Sequence, residues 1–131
     1  GNMRLLRLDA WRGASINPRA PAATVLAGNG TADVLRTDVP ATQSPLGFIT
    51  SLAVSPDGQL YLYQEAVAGH LVRLDAATGR FVTVLPADAW VKPPGQQAQR
   101  LGLRQARLRV GPQGALYLAD RLNNRVLVLT P

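Results

Sequence analysis

The chain has 131 residues, 47% of them hydrophobic, with 12 glycines, 10 prolines and a formal net charge of +6. That is enough apolar material to fill one core, with turn residues spaced as in an all-β domain. There is no cysteine and a single histidine, which excludes disulfides, thiol catalysis and a zinc centre drawn from cysteines or three histidines of one copy, and no apolar run approaches the roughly 18 residues of a membrane-spanning helix.

Taken in chain order, residues 2–9 (Asn2-Met3-Arg4-Leu5-Leu6-Arg7-Leu8-Asp9) predict a strand, and Ala23-Thr24-Val25-Leu26-Ala27 predicts its neighbour. Residues 10–22, Trp11 among them, follow no pattern. A long connection spans about 28–48. Leu52 and Val54 then alternate with small or polar residues, Pro56-Asp57-Gly58 makes a turn, and Leu60 and Leu62 alternate with Tyr61 and Tyr63. Proline presets φ, aspartate suits the next place and glycine takes a positive φ, so this stretch predicts a β-hairpin. Gly69 to Asp75 is a third strand, Ala76-Ala77-Thr78-Gly79 a turn and Arg80 to Leu85 a fourth strand. A second connection, about 87–105, contains Trp90; its stretch 96–106 has room for one short helix, weakened by Gly102.

The segment 51–62 then returns as 107–118 with a constant offset of 56 residues: Leu108 stands for Leu52, Val110 for Val54, Leu116 for Leu60 and Leu118 for Leu62. A fixed period of this size marks a repeat architecture. Gly114 repeats Gly58, whereas Gln113 replaces Asp57, which makes Asp57 a turn former and not a metal ligand. Asn123 to Leu129 is the last strand, and its unbroken run Val126 to Leu129 predicts a strand buried on both faces.

These residues resemble the NHL repeats of β-propeller proteins. Asp120-x-x-Asn123-x-Arg125-Val126 is similar to the family's Asp-x-x-Asn-x-Arg-Ile element, and Gly69-His70-Leu71 to its Asn-His-Leu signature. Ala27-Gly28-Asn29-Gly30-Thr31 followed by Pro40-Ala41-Thr42 and Leu46 resembles the connection between blades of some bacterial members. Gln64 stands where the family has aspartate, so that blade departs from the pattern. The resemblance implies an all-β fold of four-stranded antiparallel blades forming an incomplete ring in one chain. It places a half-blade at about 2–27, a full blade at about 49–86 and a partial blade at about 106–131, together about two and a quarter blades. Asp57, Gly58, Gly114, His70, Asp120, Asn123 and Arg125 are then the structural signature. A ring closes with about 4–8 blades, so a second copy of the chain or the remaining part of a propeller is expected to cover the open faces.

Catalytic constellations are thin. His70 has no orienting partner in the pattern, Gly28-Asn29-Gly30 leads into no helix, and Asp57, Asp88 and Asp120 are too scattered for a calcium loop. No cofactor or metal is implied. The expected function is a non-catalytic interaction or scaffold module that binds a protein, peptide or carbohydrate through its loops. Candidate binding residues are Trp90 on the second connection and the arginine cluster Arg100, Arg104, Arg107 and Arg109. Two alternatives follow from the resemblance: a lyase or lactonase when the ring is complete, and an RNA-binding propeller, for which the charge is suitable but aromatic residues, at 5%, are scarce. Bacterial relatives of this kind imply an extracytoplasmic location.

Overall fold

The computed structural model describes residues 3–8, 23–65 and 70–131. Their regular structure is all-β: strands β1 (Met3–Leu8), β2 (Ala23–Gly30), β3 (Phe48–Val54), β4 (Leu60–Glu65), β5 (His70–Asp75), β6 (Arg80–Leu85), β7 (Trp90–Val91), β8 (Gln99–Arg100), β9 (Ala106–Val110), β10 (Leu116–Asp120) and β11 (Arg125–Leu129), with single 3-10 turns at Ala41–Gln43 and Arg121–Asn123. They form four small antiparallel sheets. A central meander β3-β4-β5-β6 is flanked by the pair β1-β2 and by the three-stranded β9-β10-β11, and β7-β8 makes a short hairpin within the connection from β6 to β9. None of these sheets closes on itself among the described residues.

The hairpins owe their register to their turns. Gly58 takes φ +85° and its N–H donates to the Ser55 carbonyl at 2.8 Å, while Ser55 N–H donates to Gln59 O at 2.9 Å. In the second hairpin Gly114 takes φ +79°, its N–H donates to Gly111 O at 3.0 Å, and Gly111 N–H donates to Ala115 O at 2.9 Å. The registers that result are equivalent: Leu52 opposite Leu62 and Val54 opposite Leu60, then Leu108 opposite Leu118 and Val110 opposite Leu116. Between β5 and β6 the turn is held by Asp75, which accepts from Thr78 N–H at 3.1 Å and from the Thr78 hydroxyl at 2.7 Å.

The central sheet is covered on two sides. On its front face Leu62, Val72 and Phe81 pack with Ala27 of β2 and with Leu35, Ala41 and Leu46 of the connection 31–47. On its back face Tyr63 and Leu71 pack with Leu108, Leu116 and Leu118 of the third sheet and with Leu101, Leu103 and Ala106. Both long connections therefore place leucines in a core. Gly28 lets β1 and β2 approach: a Cβ there would stand 2.3 Å from the Met3 carbonyl oxygen, and its φ of +92° already favours glycine.

Two expectations are corrected. No helix forms in 96–106. That stretch supplies β8, then the buried Leu101 and Leu103, and turns into β9 through Gln105 at φ +50°, because its leucines are drawn into the core between sheets. The run Val126 to Leu129 is buried on one face only: Leu127 and Leu129 pack inward, while Val126 is 66% and Val128 52% exposed, since no described element lies over them. Strand β2 also runs on to Gly30, past the Ala27 expected to end it. Asp9, Trp11 and Gly69 lie outside the described residues.

Cover is uneven along the front face. Leu62 is fully buried, but its cross-strand partner Leu52 is 48% exposed, because the front cover packs on β4, β5 and β6 and leaves the later half of the edge strand β3 open. Removing the Leu62 side chain leaves a cavity and costs about 2–5 kcal/mol, whereas Leu52→Ala changes stability by about 0.5 kcal/mol or less. Urea unfolding of the two variants checks this; equal losses would show that the front face is covered throughout.

Candidate interaction site

The signature residues form a buried polar hub. Asp120, at the end of β10, is fully buried. Its carboxylate accepts from Arg104 N–H at 3.1 Å, from Asn123 Nδ2 at 2.9 Å and from Arg125 Nε at 2.8 Å. Arg125 also donates to the Leu101 carbonyl, and Asn123 Nδ2 to Gly102 O at 2.9 Å. The hub thus pins residues 101–104 onto the end of the sheet. Asn124 enables the chain to turn back into β11 by taking φ +51°.

Gln64 does comparable work 56 residues earlier. It is buried, and its Oε1 accepts from Gly47 N–H at 3.2 Å, tying the first connection to the end of β4. A Cβ at position 47 would lie 2.7 Å from Gln64 Nε2, so a side chain there would push on the anchoring amide. The departure of Gln64 from aspartate changes the charge of the anchor and not its place. The signal for this role was the repeat offset itself. Ser44, buried in the same connection, carried no such signal; its Oγ accepts from Arg36 N–H at 2.8 Å and donates to Pro45 O at 2.9 Å.

The candidate binding residues separate into two places. Trp90 of β7 and Arg100 of β8 are cross-strand partners at the exposed base of their hairpin. Arg107 and Arg109 are exposed on the back face of β9, opposite the inward Leu108. Arg107 Nη1 donates to Thr50 O and Arg109 Nη1 to its neighbour's carbonyl at Leu108, each at 2.9 Å. Arg104 is exposed and lies in the pinned connection, where its backbone serves the Asp120 hub.

The remaining polar residues are local. The Ser55 hydroxyl bonds to Asp57 and holds its carboxyl below the usual range, as the Thr78 hydroxyl does for Asp75. His70 Nε2 lies 3.4 Å from Thr83 Oγ1, and burial pushes its imidazole below the ordinary value. Among the described residues no three or more His, Cys, Asp or Glu side chains gather as a metal site. No helix among the described residues is long and apolar enough to cross a membrane. A groove of 390 Å3 runs between the two hairpin turns, past Asp57, Tyr61 and Gln113. The chain matches no protein-family profile and no curated protein.

Two outcomes follow for stability. Asp120→Ala leaves the half-buried Arg125 guanidinium and two further donors without their acceptor and costs about 3–5 kcal/mol, while Gln64→Ala, which strips only neutral partners, costs about 1–3 kcal/mol; chemical denaturation ranks the pair. His70 is the one histidine in the sequence. Its depressed native value means that the unfolded chain takes up the proton first, so stability is retained above the unfolded value of about 6.5 and lost as pH falls below it. Melting curves between neutral and mildly acid pH decline in the wild type and flatten in His70→Asn.

Proposed function

We propose that the chain is a non-catalytic interaction module, built as a segment of a β-propeller of NHL type, which binds protein or peptide partners through its connections and uncovered sheet faces. The observation that carries this reading is the contrast between the middle and the flanks. The central sheet is packed on both faces except along its edge strand β3, whereas Leu6, Leu8 and Val25 on one flank and Tyr117, Val126 and Val128 on the other are exposed. Scattered exposed leucines and valines need no explanation, but these lie together on sheet faces, where apolar area usually marks a contact. The meander order of the central sheet, its stacking against sheets on both sides and the 56-residue offset support blades arranged radially. Trp90 with Arg100 supplies a rigid aromatic and a cation on one short hairpin, a composition common at interfaces.

Selection of displayed peptides against the wild-type chain tests the proposal. Binders are expected whose affinity falls by about tenfold or more on Val126→Glu/Val128→Glu or on Trp90→Ala/Arg100→Ala, with both variants melting as the wild type does. Binders indifferent to both surfaces would overturn the reading. So would turnover of an ester or lactone panel by the purified chain.

A further inference from the structure

The two hairpins are alike on their front faces and unlike on their backs. In front, Leu52, Val54, Leu60 and Leu62 correspond to Leu108, Val110, Leu116 and Leu118. Behind, Ser51, Ala53, Tyr61, Tyr63 and Glu65 correspond to Arg107, Arg109, Tyr117, Ala119 and Arg121. The chemistry of the back has changed from small and acidic to cationic while the turns and registers stayed the same.

The internal junction shows what the original back face is for. There Ser51 Oγ accepts from Leu108 N–H at 2.9 Å, and Glu65 Oε2 accepts from Gln105 N–H at 2.8 Å. Small residues on β3 let the front of β9 come close, with Ala53, Tyr61 and Tyr63 packed against Leu108, Leu116 and Leu118. An arginine in place of Ser51 and another in place of Ala53 would fill that space and bring two charges into it.

On the third sheet these arginines belong to two cross-strand rows. Arg109 stands opposite Tyr117, which stands opposite Val128; Arg107 stands opposite Ala119, which stands opposite Val126. Each row runs from a guanidinium on β9 to a valine on β11. The guanidiniums touch only backbone carbonyls, and among the described residues no carboxylate pairs with either. Tyr117, 43% exposed, rests on Gly111, where a Cβ would meet its ring at 2.9 Å.

A second copy offers the wrong chemistry for this face. Its uncovered front surface presents Leu52 and Val54, so stacking it there would bury two guanidiniums without counter-charge, which is unfavourable. A nucleic acid would answer the arginines but leave Tyr117, Val126 and Val128 against phosphates. We propose that the back face of β9-β10-β11 docks an acidic protein surface, with carboxylates set against Arg107 and Arg109 and apolar side chains against Tyr117, Val126 and Val128. Like-charge and unpaired-charge penalties then exclude self-stacking, so the arginines select the partner as well as hold it. This rests on the interaction-module reading and narrows it.

The test uses the whole chain and a labelled extended peptide carrying two glutamates followed by two valines at alternate positions, beside its lysine counterpart. Fluorescence anisotropy is expected to show binding of the acidic peptide, weakening with salt, and a loss of about tenfold or more in Arg107→Glu/Arg109→Glu. The charge-reversed variant is expected to prefer the lysine peptide. Sedimentation velocity is expected to find the wild type monomeric and Arg107→Ser/Arg109→Ala, which restores the back face of the central sheet, self-associated. Equal binding of both peptides, tighter binding of an oligouridine of matched charge, or a wild-type oligomer dispersed by Val126→Glu/Val128→Glu would overturn the proposal. Binders that depend on these faces but show no acidic preference would leave the interaction module standing and remove only its partner.

Discussion

The architecture depends on one recurring constraint: a buried polar side chain at the end of the second strand of each repeat, which fixes the connection that precedes the sheet. Gln64 holds Gly47 and Asp120 holds Arg104, each through a backbone N–H. A connection tied at that point delivers its leucines, Leu46 in one case and Leu101 and Leu103 in the other, into the gap beside the sheet. Without the tie these segments would be surface loops with leucines facing water. The tie therefore converts length of chain into core volume, and it does so with a geometry that the sheets alone do not impose. The second hub is the stronger, because its carboxylate gathers three donors, one of them charged, out of contact with solvent.

What was legible in the sequence was what is decided locally. The turns at Gly58, Gly79 and Gly114 need positive φ, and each follows residues that favour a bend, so hairpins and register could be read from a few positions. The alternation of Leu60 and Leu62 with tyrosines gave the direction of the faces. What was not legible depends on partners far along the chain. Residues 96–106 have helix-tolerant composition, and distant partners make them extended: β7 pairs with Gln99 and Arg100, the core takes Leu101 and Leu103, and the Asp120 hub ties residues 101–104. The Val126 to Leu129 run carries no mark of being covered on one side only, since cover belongs to a neighbouring sheet and not to the strand. Gln64 looked like a lapse from a motif because a motif counts residue types, whereas the fold needs an acceptor at that point.

The candidate site was legible as residues and not as a place. Density along the chain grouped Arg100 with Arg104, Arg107 and Arg109, yet the fold sends Arg100 to a hairpin with Trp90 and turns Arg107 and Arg109 to the back of another sheet. A face, not a cluster, is the unit on which these side chains act. Pleating explains this: alternate residues of one strand point apart, while residues on neighbouring strands meet.

Among the described residues the two core clusters join the central sheet to one neighbour on each face, so the energetics of this part are nearly one-dimensional. Stability in such an array resembles a short zipper, with the middle unit clamped from two sides and, among the described residues, each flanking unit from one. Partial opening then starts at the ends. The pair β1-β2 contributes few buried side chains of its own and is the first candidate to fray, with the central meander as the last structure to dissolve. A ligand that seats on either flank would add a clamp there, and so would raise the cooperativity of the whole.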